Sequence, residues 1–203
     1  MKKNKNCLVI FTRNPELGKG KRRLAATVGD HKALAVYKLL LHHTRSVTDA
    51  LPVTRQVWYS ERVHDDDDWS NNKYEKFVQK GDDLGERMQH ALETALEDHE
   101  NAIVIGSDLF ELKSSDLETA FKQLEDNDAV IGPATDGGYY LLGFHKRMAP
   151  AVFKNKSWGT ESVYRDTMAD LKSHRTFILE ERNDVDYYED IKDAPEFQHI
   201  LNP

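Results

Sequence analysis

The sequence predicts an α/β chain whose residues 1–203 form one domain, a three-layer sandwich with helices on both faces of a mixed, mainly parallel sheet. Three observations predict it. Short β-branched apolar runs alternate with segments of helical spacing, as at residues 6–12 and 30–51 and again at 102–106 and 115–126. Only four residues, Thr135, Asp136, Gly137 and Gly138, separate two strand patterns at 128–134 and 139–145, so one antiparallel strand enters the sheet. Apolar residues make up 39% of 203, a share that supports a full-sized core without staples.

Residues 6–12 (NCLVIFT) read as a buried first strand and are followed by the loop NPELGKGK. Asp30 suits a helix cap, and the helix it opens ends before Pro52. Strand two covers Val53 to Ser60, and Glu61 to Lys73 form a surface loop whose aspartates, Asp65 to Asp68, read as solvated charge. Residues 74–79 form a short strand, after which Leu84, Met88, Ala91, Leu92, Ala95 and Leu96 recur as a core-facing helical stripe. Ser115 with Glu118 suggests a capping box for the helix that follows strand 102–106. A helix over 160–172, a strand over 176–180, an acidic turn at Asn183 to Asp186 and a last short helix complete the chain.

Charge is uneven. The first 23 residues carry +7 and the rest −14, for a net −7. A general nucleic-acid binder would spread basic charge over a whole face, so this balance favours a small polyanion held at one place. Lys2, Lys3 and Lys5 read as a solvated basic tail. The single cysteine, Cys7, excludes an intramolecular disulfide and fits a reducing compartment, with the cytoplasm as the default. No apolar run is long enough for a membrane span.

In such a sheet a ligand sits outside the carboxyl ends of the strands, so the segments just after strands should carry function. After strand one, Arg13, Lys19, Lys21, Arg22 and Arg23 surround Gly18 and Gly20, a composition suited to phosphate oxygens although neither GxxxxGK[ST] nor GxGxxG is present. After the AIVIG strand, Asp108 is a candidate ligand for Mg²⁺ or Mn²⁺, and Asp186 from the late acidic turn a candidate second ligand. Asp136, beside Gly137 and Gly138, is a candidate for positioning or deprotonating an acceptor hydroxyl, although Asp-Gly is also ordinary hairpin chemistry. Trp158 reads as core before contact, Cys7 as an inert core residue, and His42 with His43 as no metal-ligand pair.

The ordered set NPELGKGKRRL, GDDLGERM, GSD, GPATDGGYYLLGF, WGTE and DVDYYED resembles the small bacterial glycosyltransferase-like proteins of the arsenosugar-biosynthesis type. These are similar in turn to 2-phospholactate guanylyltransferase and to the wider GT-A nucleotide-diphospho-sugar transferase superfamily. The resemblance runs from about residue 7 to 192 and implies a single GT-A/Rossmann-like nucleotide-binding domain. It implies phosphate-binding residues at Lys21 and Arg23, with Arg13 where lysine is usual. It also implies a metal site at Asp108, a D-G-G-Y motif at Asp136 to Tyr139 and a late acidic motif at Asp184 and Asp186. Two departures touch the implied donor site, Arg22 in place of threonine and Phe110 in place of proline. The expected activity is metal-dependent transfer of a sugar from a nucleotide-diphospho-sugar to a small hydroxyl acceptor. The alternatives are nucleotidyl transfer from an NTP to a phosphorylated acceptor with pyrophosphate release, and a non-catalytic nucleotide-binding protein. The expected partners are a nucleotide or nucleotide-sugar donor and a small-molecule acceptor, with neither nucleic acid nor membrane involved.

Overall fold

The computed structural model describes residues 4–64 and 67–202; Lys2, Lys3, Asp65 and Asp66 lie outside them. Seven strands form one sheet: β1 (Asn6–Thr12), β2 (Thr54–Tyr59), β3 (Glu75–Val78), β4 (Asn101–Ile105), β5 (Ala129–Pro133), β6 (Tyr139–His145) and β7 (Thr176–Ile178). Their spatial order is β3-β2-β1-β4-β6-β5-β7. β6 is antiparallel to both β4 and β5, and every other pairing is parallel. The expected mixed, mainly parallel sheet is therefore present, and the strand that breaks the pattern is the second of the expected hairpin.

Alternation along β1 shows how the layers form. Leu8 and Ile10 enter one core cluster with Tyr37 and Leu41 of α2 (Asp30–Thr48) and Leu117 and Phe121 of α4 (Ser114–Gln123). Cys7 and Val9 point the other way, to Met88, Ala91, Leu92 and Ala95 of α3 (Leu84–Asp98). Cys7 is fully buried, and burial pushes its thiol far above the usual range, as an inert core residue requires. A third cluster lies beyond α2. There Leu24 of α1 (Arg22–Val28) and Val36 and Leu40 of α2 pack on Phe197 and Leu201 of α6 (Pro195–Leu201).

Several local expectations are corrected. The basic loop contains a helix, because Arg22 and Arg23 already lie on α1, separated from α2 by Gly29 at φ 84. Asp30 is the first residue of α2 and Gly29 its cap. α4 begins one residue earlier than Ser115, and Asp116 Oδ2 accepts from Lys113 N (3.0 Å) at its start. Residues 160–162 stay outside α5 (Val163–Asp170), held in turns by bonds from Thr160 N to Ser157 O (3.3 Å) and Val163 N to Thr160 O (3.3 Å).

Candidate active site

The carboxyl ends of β1, β2, β3 and β4 open into a cavity of about 810 Å³, lined by residues 11–13, 60–61, 79, 82–84, 87 and 106–108 together with Lys19 to Arg23, Tyr37 and Asp186. Its size is that of a small-molecule site, and it lies where the strand order reverses between β1 and β4. Underneath, the Tyr37 hydroxyl ties the floor together. It accepts from Arg13 N (2.8 Å) and lies 3.1 Å from Thr12 Oγ1 and 3.3 Å from Ser107 Oγ.

At the acidic end, Lys21 Nζ donates to Asp108 Oδ2 (2.9 Å) and to Asp186 Oδ1 (3.2 Å). Arg23 Nη1 donates to the other oxygen, Asp186 Oδ2 (2.8 Å), and its guanidinium lies 5.4 Å from the Tyr187 ring centroid. The Lys21 side chain is only 6% exposed. Burial alone would push its ammonium down; Asp108 and then Asp186 outweigh that and hold it above its ordinary value. Its backbone sits at φ 48, a left-handed conformation unfavourable for a residue with a Cβ. The acidic strap 183–190 is fixed by two backbone amides, Asp186 N (2.8 Å) and Tyr187 N (2.6 Å), which donate to Asp190 Oδ2. Val185 N donates to Asp108 O (3.1 Å), joining the strap to the loop after β4.

Asp184 carries the strain of so much negative charge. Desolvation first, then Asp108, Asp136 and Asp186, push its carboxyl up to about 6, with Lys21 opposing them. An acid raised in the folded state holds its proton more tightly there than in the unfolded chain. The resulting loss of stability is therefore absent below about pH 4, grows as pH rises and is complete above about pH 6. In chelator, Asp184→Asn is expected to melt higher than the wild type at about pH 7.5, by roughly 1–2 kcal/mol after allowance for partial exposure, with the difference closing near pH 4. Equal melting temperatures at both pH values would remove this account.

Among the described residues no cluster of three or more His, Cys, Asp or Glu stands ready to enclose a metal. Asp108 and Asp186 nevertheless share a single ammonium, and hard carboxylate oxygens completed by water and phosphate oxygens suit Mg²⁺ or Mn²⁺.

The hairpin loop approaches from the other side of the strap. Thr135 N donates to Arg182 O (3.0 Å), and Asp136 lies within electrostatic reach of both Arg23 and Asp184. Asp136 Oδ1 accepts from Gly138 N (2.8 Å), which holds the turn. Gly137 has φ 87, and its O accepts from Tyr164 N (2.8 Å). Neither Asp136 nor the two glycines line the main cavity; they flank its acidic end. Arg13 lines the cavity, whereas Gly18 makes a turn at φ 75 outside it and Gly20 takes the lining position.

Other residues fall differently from the sequence expectation. Phe110 turns away from the cavity and packs on His43 (4.7 Å) and Phe197 (4.8 Å), so that departure belongs to the third core cluster, while Arg22 does line the cavity. Leu84 leaves the helical stripe and stands 45% exposed at the cavity wall, because it is the first residue of α3. Trp158 packs against the α3-side core, as expected. Gln79 was missed altogether; a glutamine after a strand carries no signal until its partners are in place.

Residues 43–160 match the model of a family described as an uncharacterized protein conserved in bacteria, DUF2064. The chain belongs to this family. Among solved structures it is similar to a candidate nucleotide-diphospho-sugar transferase of Desulfovibrio desulfuricans G20, at 30% identity over 98% of this chain and 94% of that one, with a TM-score of 0.88. Similarity of fold alone extends to 4-diphosphocytidyl-2C-methyl-D-erythritol synthase of Anaerococcus prevotii, at 11% identity, 97% and 99% coverage and a TM-score of 0.60. It also extends to Rv0371c of Mycobacterium tuberculosis H37Rv, at 13% identity, 100% coverage of both chains and a TM-score of 0.56. No curated protein matches the sequence. This DUF2064 chain has the fold of the nucleotide-diphospho-sugar transferase superfamily. No helix among its described residues is long and apolar enough to cross a membrane.

Proposed function

We propose that the chain is a metal-dependent glycosyltransferase, binding a nucleotide-diphospho-sugar in the cavity and passing the sugar to a small hydroxyl acceptor. The single observation that carries this reading is the buried Lys21 ammonium bridging Asp108 and Asp186, with Arg23 on the same aspartate, at the mouth of an 810 Å³ cavity. The 30% identity to the candidate nucleotide-diphospho-sugar transferase of Desulfovibrio desulfuricans supports it. In this reading Lys21 and Arg23 bind the diphosphate, and Arg13 and Gly20 line its approach. Asp108 and Asp186 would hold Mg²⁺ or Mn²⁺, and the cation would supply charge against that gathering on the leaving diphosphate. The acceptor hydroxyl oxygen forms the new bond to the sugar's anomeric carbon and the bond to the diphosphate oxygen breaks. Asp136 takes the hydroxyl proton, and the nucleoside diphosphate leaves with the electron pair. Gly138 keeps the backbone beside the Asp136 carboxylate narrow enough for the acceptor to approach, while Gly137 lets the turn close onto the Glu161 backbone.

A second reading, nucleotidyl transfer, is favoured by the number of cations in the same cavity. Arg13, Lys19, Arg22 and Arg87 join Lys21 and Arg23 in its lining, six cations to spread over a triphosphate, with the five carboxylates Glu61, Asp82, Asp83, Asp108 and Asp186 among them. Product analysis separates the two. Incubation with Mn²⁺, a panel of small hydroxyl and phosphorylated acceptors, and panels of sugar nucleotides and nucleoside triphosphates is expected to release nucleoside diphosphate from a sugar nucleotide, and Asp136→Asn to slow that release about 100-fold or more with donor affinity unchanged. Pyrophosphate release from a triphosphate would replace the first reading with the second, and no release from either panel would leave a nucleotide-binding protein without turnover.

A further inference from the structure

The Gln79 side chain is held in one orientation by two acceptors that cannot donate. Its Nε2 donates to Trp58 O (2.9 Å), next to last in β2, and to Thr12 O (3.3 Å), last in β1, and its own backbone N donates to Tyr59 O (2.9 Å). An amide turned the other way would set an oxygen against two carbonyl oxygens, so the nitrogen must face the strands and Oε1 must face away. Gln79 lines the cavity, and among the described residues nothing donates to its Oε1. It is an acceptor fixed in place and left without a partner.

Its position matches one part of a nucleotide. Lys21, Asp108 and Asp186 mark the phosphate end beside β4, and the carbonyls holding Gln79 lie on β1 and β2, up to two strands away. At the strand spacing of a sheet that is about 10 Å at most, a separation a nucleotide bridges between its phosphates and its base. The wall next to Gln79 is fixed by the loop to α3 and carries two carboxylates, Asp82 and Asp83, with Arg87, whose Nε donates to Gly81 O (2.9 Å). Gly81 has φ 138, and a Cβ there would meet Glu86 Cβ at 2.6 Å and Arg87 N at 2.8 Å, so the loop is pressed onto the first turn of α3. Asp83 caps that helix by accepting from Glu86 N (2.8 Å), Asp82 adds a carboxylate to the lining, and the half-exposed Leu84 offers an apolar surface to a ring.

We propose that Gln79 reads the base in this cavity and selects nucleotides whose base carries an exocyclic amino group, which donates to its fixed Oε1. A base presenting a carbonyl there would set oxygen against oxygen and leave both without a partner. The inference rests on the cavity being a nucleotide site, as proposed above. Calorimetry in Mg²⁺ with inorganic pyrophosphate and with three matched pairs, CDP against UDP, GDP against IDP and ADP against IDP, tests it. Each pair differs at the base by an amino group. The wild type is expected to bind the amino-bearing member of at least one pair about tenfold or more tightly. Gln79→Met is expected to reduce that preference to within about twofold while pyrophosphate binds as before. No amino preference in any of the wild-type pairs overturns the inference alone, as does a preference that survives in Gln79→Met; the wild-type pairs decide by themselves if the variant fails to bind pyrophosphate. A wild type that binds neither pyrophosphate nor any nucleotide overturns the nucleotide reading and this inference with it.

Discussion

Lys21→Met is expected to cost the protein about 10- to 100-fold in affinity for a nucleoside diphosphate, because it removes the one cation that both site carboxylates share. The same substitution is expected to lower stability. Asp108, Asp186 and the already strained Asp184 would face one another with Arg23 left bonded to Asp186. Removing one partner of a fully buried pair costs about 3–5 kcal/mol. The Asp108 and Asp186 side chains are 40% and 34% exposed, so solvent shares the load and about 1–3 kcal/mol is the expected loss. Calorimetry with a nucleoside diphosphate and thermal melting in chelator measure the two effects separately. Added Mn²⁺ should recover part of the lost stability by supplying charge to the same oxygens. Unchanged nucleotide affinity in Lys21→Met would remove the phosphate role and, with it, the observation on which the functional reading stands.

The features legible in sequence were those written in local periodicity. The apolar run at 102–106 becomes the fully buried β4, and the four-residue gap at 135–138 becomes the turn between β5 and β6. Lys21, Arg23, Asp108 and Asp186 were nameable from residue type and position after strands, but their contacts were not. Arg23 meets Asp186 across 163 residues of chain, a distance on which spacing is silent. α1 escaped notice because its cap is Lys21 in a left-handed conformation with no side-chain cap bond, and no start signal marks it. Leu84 was misread for a related reason: periodicity assigns a helix face, whereas the first residue of α3 sits where the strand-end loop meets the cavity. Gln79 gains its meaning only from two carbonyls on other strands.

Gly137→Ala is expected to separate the two ends of the site. At φ 87 an alanine is strained by roughly 1–2 kcal/mol. The space is closed as well. A Cβ there would lie 2.3 Å from Glu161 O and 2.4 Å from Glu161 Cα, backbone atoms that cannot swing aside as a side-chain tip can. The bond from Tyr164 N to Gly137 O (2.8 Å) pins the same two segments together, so relief requires the 135–138 turn and residues 161–164 to part. The expected cost is about 3 kcal/mol or more, a fall of about 6 °C or more in melting temperature. Lys21 with Asp108 lies outside the clamped segment, so pyrophosphate affinity should hold while any sugar transfer falls about 100-fold, through displacement of Asp136 from the acceptor. Gly138→Ala is the matched control. That residue has no positive φ, and its nearest neighbour is the Asp136 carboxylate at 3.1 Å, so a small loss of stability is expected there. If both variants lost pyrophosphate binding equally, the turn would be serving the diphosphate end, and Asp136 would have to be reassigned from acceptor to donor.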